Sequence, residues 1–136
     1  MSKAKGSRLE RELVHLFHDT NLFIALRAAG SGSTPLPCPD LLVGGKGRVL
    51  AIECKAGKGR RYIKNDQVEE LLEFSSRFGA EPWIGVRFDG EEWLFLDIKD
   101  LHLSKGGNYA VDLKLALEKG ISFDELIGKF EQKKLL

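Results

Sequence analysis

Two short apolar runs, Leu41-Leu42-Val43 and Val49-Leu50-Ala51-Ile52, flank Gly44-Gly45-Lys46-Gly47. Apolar runs of this length bounded by glycine read as strands, and the glycine-rich spacer reads as a hairpin turn. No other feature constrains the fold as tightly, because it fixes which residues lie beside which. Pro39-Asp40 enters the first run, and Glu53-Cys54-Lys55 leaves the second. Glu53 and Lys55 are two apart on a strand and share a face, while Cys54 points the other way, into a core. A hairpin across the glycines brings Asp40 beside the Glu53 end of its partner. Two carboxylates and a lysine are expected to converge at one edge of a sheet.

These residue types suit one chemistry. Paired carboxylates favour a hard, oxygen-seeking cation such as Mg²⁺, with Mn²⁺ as a substitute. Such an ion lowers the pKa of bound water and acts as a Lewis acid on a phosphate oxygen. A lysine beside it orients the water and offsets developing charge. The bland alternative is a salt bridge at a hairpin end, from Asp40 or Glu53 to Lys55. The apolar strand next to each acid, the glycine turn and the basic surroundings weigh against it.

The chain has 136 residues, 43% hydrophobic and 30% charged, which is one domain's worth with enough apolar content for a core. Its two cysteines, Cys38 and Cys54, match no zinc or disulfide pattern, and no signal peptide or membrane-length apolar run is seen. A reducing, cytoplasmic setting is expected. The net charge of +1 conceals an asymmetry: residues 1–64 carry a balance of +7 and residues 65–136 one of −6. The acid and lysine constellation lies in the basic half, as a site for a polyanion requires.

Leu9, Leu13, Leu16 and Phe17 mark an amphipathic helix over Ser7–Thr20. Phe23–Leu26 reads as a strand, and Ala29–Pro39 as a loop rich in Gly and Pro. Ala56–Tyr62 reads as a glycine-rich basic loop, and Lys64–Phe78 as a second helix. Pro82–Phe88 and Trp93–Asp97 form a hairpin across Asp89-Gly90. Alternation from Tyr109 to Leu117 suggests a strand, with a helix in competition. Ser122–Glu125 is a capping-box start for a short last helix, and Ser7-Arg8-Leu9-Glu10 has the same form, with Ser7 as N-cap. The order α-β-β-β-α-β-β predicts an α/β fold in which helices flank a mixed sheet. Gln67, at the start of the second helix, reads either as an ordinary helix residue or as one that touches the site.

Taken together, Glu10-Arg11-Glu12-Leu13, Arg27-Ala28-Ala29-Gly30-Ser31, Pro39-Asp40-Leu41, Ile52-Glu53-Cys54-Lys55 and Glu73–Gly79 resemble the archaeal Holliday junction resolvases of the PD-(D/E)xK nuclease superfamily. The resemblance covers most of the chain and is weakest after about residue 100. It implies a restriction-endonuclease-like fold and a Mg²⁺-dependent endonuclease that resolves four-way DNA by paired, symmetric nicks as a homodimer. Asp40 and Glu53 are then metal ligands assisted by the Cys54 carbonyl, Lys55 is the catalytic lysine, and Glu10 is an essential acid and a third carboxylate near the metal. Arg11 and Arg27 become phosphate contacts, and Ser31 lies beside the site. The proline-rich stretch Thr34–Pro39 departs from the family pattern.

Lys58, Arg60, Arg61 and Lys64 follow directly after Lys55 and are expected to touch the DNA backbone without reading bases. The second helix has a wide apolar arc, and Phe74 and Phe78 are candidates for the dimer interface, with ordinary core as the alternative. A restriction- or repair-type nuclease acting on duplex, and a DNA-binding module without catalysis, are the competing functions. Intact Asp40, Glu53 and Lys55 argue against the second.

Overall fold

The computed structural model describes residues 3–28 and 36–129. The first helix, α1, covers Lys3–Asp19 and starts four residues before Ser7. Ser7 is therefore inside the helix and is not its N-cap. Leu9, Leu13 and Phe17 are buried along one stripe, while Leu16, expected in that stripe, is 37% exposed. At the exit, Thr20 donates its hydroxyl to the Phe17 carbonyl at 2.6 Å and accepts from the Leu22 N–H at 3.1 Å. Asn21 takes a left-handed φ of 61° to turn the chain into the sheet.

Strands β1 (Phe23–Arg27), β2 (Leu41–Gly45) and β3 (Arg48–Gly57) form an antiparallel meander. Lys46 and Gly47 hold φ of 53° and 72° between β2 and β3, the two positive values of a type I′ hairpin turn. Gly45 is required by contact: a Cβ there would sit 2.2 Å from the Leu22 carbonyl oxygen. After β4 (Arg61–Ile63), helix α2 (Asn65–Phe78) connects β3 to its parallel partner β5 (Glu81–Phe88). Gly79, at φ 84°, closes α2 with its N–H on the Ser75 carbonyl.

β6 (Leu94–Leu96) returns antiparallel to β5 across the predicted Asp89-Gly90 turn. A small second sheet joins β4 to β8 (Tyr109–Val111) and β7 (His102–Leu103). The alternating stretch after Tyr109 is strand only as far as Val111. Asp112 then caps a helix, α3 (Leu113–Lys119), by accepting the Leu115 N–H at 2.8 Å. A last two-residue strand, β9 (Ile121–Ser122), gives the main sheet the order β1-β2-β3-β5-β6-β9. The Ser122–Glu125 capping contact is present, with the Glu125 N–H on the serine oxygen at 3.2 Å, and leads into a short helical turn over Glu125–Lys129.

Both sheet faces are covered. Leu50, Ile52, Cys54 and Ala56 of β3 pack in one cluster with Leu9, Leu13 and Phe17 of α1. Ala51 joins the opposite cluster with Val68 and Leu71 of α2. The alternation expected for β3 is thus real, and Glu53 and Lys55 belong to the α2 face. Among the described residues, no helix is long and apolar enough to cross a membrane.

Candidate active site

The site is made by a mismatch in strand length. β2 has five residues and β3 has ten, and their pairing ends at Leu41 opposite Ile52. Beyond that point β3 continues beside β5, and among the described residues no strand lies against its other edge. Asp40, one residue before β2, fills the first place in that gap: its carboxylate accepts the Cys54 N–H at 2.8 Å. The Ala28 N–H donates to the Asp40 carbonyl at 3.1 Å and fixes the backbone from the β1 side. In a strand, a residue's N–H and C=O point to the same edge. The Cys54 carbonyl therefore faces Asp40 as well, where the family resemblance expects an assisting oxygen.

Asp40 is the common electrostatic neighbour. Burial, followed by the Asp40 charge, pushes the Glu53 carboxyl from its ordinary 4.5 up to about 8, with Lys55 opposing. Glu10 is raised too, by burial and then by Asp40, against the pull of Arg27 and Arg11. Burial pushes the Cys54 thiol up, with Asp40, Glu10 and Glu53 adding to it, so it stays protonated and serves as core. Its place in the α1-side cluster agrees.

Glu10 approaches from α1 and is held in place. Its carboxylate accepts from Arg27 Nε at 3.1 Å, and Arg27 Nη2 donates to Ser7 Oγ at 3.1 Å. The pair read as a reciprocal cap is instead a pair of acceptors for a β1 guanidinium. Local spacing could not reveal this, because the competing partner is 17 residues away from Glu10. Glu12, overlooked in the sequence, fixes the same helix from the other side. It accepts from Arg87 Nε at 3.2 Å and Trp93 Nε1 at 3.0 Å. Arg11 is exposed.

Lys55 does not form the hairpin-end salt bridge. Among the described residues, its ammonium donates to Gln67 Oε1 at 3.4 Å and makes no ion pair with Asp40 or Glu53. Also among the described residues, no three acidic, histidine or cysteine side chains close into a metal cage. The structure therefore brings Asp40 and Glu53 together, while Glu10, expected as a third ligand, is engaged by Arg27. Two carboxylates are a sufficient protein donor set for Mg²⁺, which keeps several waters and takes phosphate oxygens as its remaining ligands. The structural sign of fit is the Asp40 carboxylate fixed on the Cys54 N–H next to Glu53 in the chain, which sets two acids where a cation would neutralise them.

The basic loop is shorter than expected, since β3 runs to Gly57 and β4 begins at Arg61, leaving 58–60. Lys58, Arg60 and Lys64 are exposed. Arg60 lies over the Tyr62 ring at 5.8 Å. Arg61 folds back, donating to the Lys58 carbonyl at 2.7 Å and the Arg60 carbonyl at 3.1 Å, so it shapes the loop it was expected only to charge. Phe74 and Phe78 stack with centroids 5.0 Å apart, and Phe78 is 53% exposed. Ser31 and the start of the proline-rich stretch lie outside the described residues.

A family model described as archaeal Holliday junction resolvase (Hjc) matches residues 1–135. The chain is 35% identical over 133 residues to the crossover junction endodeoxyribonuclease Hjc of Archaeoglobus fulgidus, covering 97% of this chain and 96% of that one. To the protein of the same name from Methanocaldococcus jannaschii it is 38% identical over 133 residues, covering 96% and 92%. The solved structure of Archaeoglobus fulgidus Hjc superposes with a TM-score of 0.81 at 33% identity, covering 90% of this chain and 98% of that one.

Proposed function

The chain belongs to the archaeal Holliday junction resolvase family, and from that premise we propose that it works as a Mg²⁺-dependent homodimer making paired, symmetric nicks in four-way DNA. Endodeoxyribonuclease activity on such junctions goes with the family. The metal, the dimer and the symmetry of cutting are our reading. The observation that carries it is the contact of the Asp40 carboxylate with the Cys54 N–H, which sets Asp40 against the half-buried Glu53 at the open edge of β3.

Asp40 and Glu53 would hold the ion, with the Cys54 carbonyl facing the same gap. When bound, Mg²⁺ lowers the pKa of a water and acts as a Lewis acid on the scissile phosphate, and Mn²⁺ is expected to substitute. The ladder-like bond from Cys54 fixes the direction of the Asp40 carboxylate before substrate arrives. Lys55, on the same face as Glu53 and without an ion pair to an acid among the described residues, keeps its charge available to the phosphate. Arg27 holds Glu10 at the α1 side of the gap. Arg11, Lys58, Arg60 and Lys64 are available for backbone contacts, and Arg61 holds the loop that carries two of them. Arg27 and Ser31 stay in the proposed substrate contacts on the family resemblance.

A four-way junction has two equivalent strands to cut, and a two-fold dimer presents two identical sites. Exposed apolar side chains support a second copy as partner: Ile24 is 62% exposed, Leu26 54% and Phe78 53%. Leu42, cross-strand from Leu26, packs in the same cluster as Phe74, which stacks on Phe78. Sedimentation of Phe74→Ala and Phe78→Ala tests the interface, and an unchanged dimer in both removes these residues from it.

A synthetic four-way junction and a linear duplex, each with Mg²⁺ or EDTA, test the activity on one gel. Paired symmetric nicks on the junction, only with the metal, are expected. Cutting of the duplex alone, or binding without cutting, overturns the proposal.

A further inference from the structure

Gln67 touches Lys55, a reactive side chain of the site that makes no ion pair with an acid among the described residues. Its Oε1 accepts from the Lys55 ammonium at 3.4 Å and from the Lys64 backbone N–H at 3.3 Å. Both partners are donors only, so the side-chain oxygen must face them and the amide nitrogen must face away. The bond to Lys64 is the capping-box contact at the start of α2, where Gln67 holds the third helical position. The next residue, Val68, is 1% exposed and anchors that first turn in the core. The oxygen is thus fixed by the helix start rather than left to a freely rotating amide.

Lysine has four rotatable side-chain bonds, and the Lys55 ammonium, on the α2 face of β3, has no other hydrogen bond to define it among the described residues. We infer that Gln67 is a positioning residue that holds the Lys55 ammonium toward the Asp40–Glu53 gap from the N-terminus of α2. The inference rests on the proposed role of Lys55. A neutral acceptor suits this role, because it orients the ammonium and leaves its charge for the phosphate. A carboxylate at the same place would pair with the lysine and compete with the substrate. It would also keep the helix cap, because glutamate fills the same capping-box position and is favoured in the first turn of a helix. Cap and positioning thus make opposite demands at position 67.

That opposition gives the test. Gln67→Glu and Gln67→Met are compared with the parent for single-turnover junction cleavage at saturating enzyme, junction affinity in EDTA, and thermal midpoint. Order of the Lys55 ammonium is read by ¹⁵N relaxation. Both variants are expected to cleave roughly 10- to 100-fold more slowly, in line with a misplacement on the order of 1 Å in a catalytic group. Gln67→Glu should keep or raise the thermal midpoint, and Gln67→Met should show a less ordered Lys55 ammonium. In a Lys55→Ala background, Gln67→Met should cost nothing further in the residual cleavage followed over long incubations. If Lys55→Ala is inactive while both Gln67 variants cleave within about twofold of the parent, the inference alone fails. An equal loss from Gln67→Met with and without Lys55 also overturns it. A fully active Lys55→Ala overturns the reading of Lys55 and this inference with it.

Discussion

Glu53→Gln tests the electrostatics of the site without any need for substrate. Burial and the Asp40 charge raise the Glu53 carboxyl from 4.5 to about 8. A raised folded-state pKa means that the folded protein holds this proton more tightly than the unfolded chain. The contribution to stability is complete below pH 4.5 and is lost as pH rises through about 8. At about 1.4 kcal/mol per pH unit, the full cost of ionising Glu53 is roughly 5 kcal/mol, of which roughly 3 is already felt at pH 7. Glutamine keeps the shape and never ionises. Urea unfolding in EDTA at fixed protein concentration should therefore show the variant gaining on the parent. The gap should widen between pH 5 and 8 and level off above that window. Asp40→Asn in the same background should shrink the gap, since it removes the nearest negative charge. A stability difference that stays flat from pH 5 to 9 would refute the reasoning.

Lys55→Ala is expected to keep junction affinity within about threefold and to lose cleavage, because the side chain acts mainly on the transition state; near-normal cleavage in a timed gel assay would count against it. Arg60→Ala with Arg61→Ala should reduce the slope of log affinity against log salt by about one to two, measured by anisotropy, and an unchanged slope would remove the loop from the contact surface. Ser75, 2% exposed, has a hydroxyl without a hydrogen-bond partner among the described residues, so Ser75→Ala should leave stability unchanged or raise it by up to about 1 kcal/mol, and a loss of more than about 1 kcal/mol by urea titration would show that the hydroxyl is hydrogen-bonded. Asp40→Asn should weaken Mg²⁺ binding by calorimetry at least tenfold by removing a charged hard ligand, and unchanged affinity would exclude Asp40 from the ligand set.

What could be read from the sequence follows the range of the forces involved. The β2–β3 hairpin was legible because its turn and both its strands are local, and the I′ turn at Lys46-Gly47 follows from residues beside it in the chain. The shared face of Glu53 and Lys55 was legible for the same reason, since strand alternation needs no tertiary knowledge. Ser7 and Glu10 misled because a capping box is a four-residue pattern that a distant arginine can outbid: Arg27 takes both side chains, and the helix simply begins earlier. After Val111 the alternation suggested a strand, but Asp112 supplies a cap that the apolar pattern outweighed on paper. Gln67 could be read either as a helix start or as a residue touching the site, and the sequence left the two open because its contact with Lys55 depends on where α2 docks.

The fold explains why the chemistry lies where it does. A sheet in which every strand had equal length would pair the Cys54 N–H and C=O with a neighbour and leave no place for Asp40. Here β2 begins late, because Pro39 has no N–H to donate to the ladder and the preceding loop is rich in proline. β3 continues for five residues past the last β2 pair, supported on its other side by β5 as far as Gly57 and Phe88. The edge toward Asp40 has no strand against it among the described residues, yet β3 is held along its other side by β5. Asp40 occupies the first vacant rung as a side chain in place of a backbone, which turns a structural hydrogen bond into a fixed carboxylate beside Glu53. α2 then completes the arrangement, since the connection from β3 to β5 must cross the face that Glu53 and Lys55 share, and its first turn carries Gln67 to the lysine. Lengthening β2 by replacing Pro39 with a residue that pairs would be expected to strengthen the sheet and weaken the site together, because the same backbone groups cannot serve both.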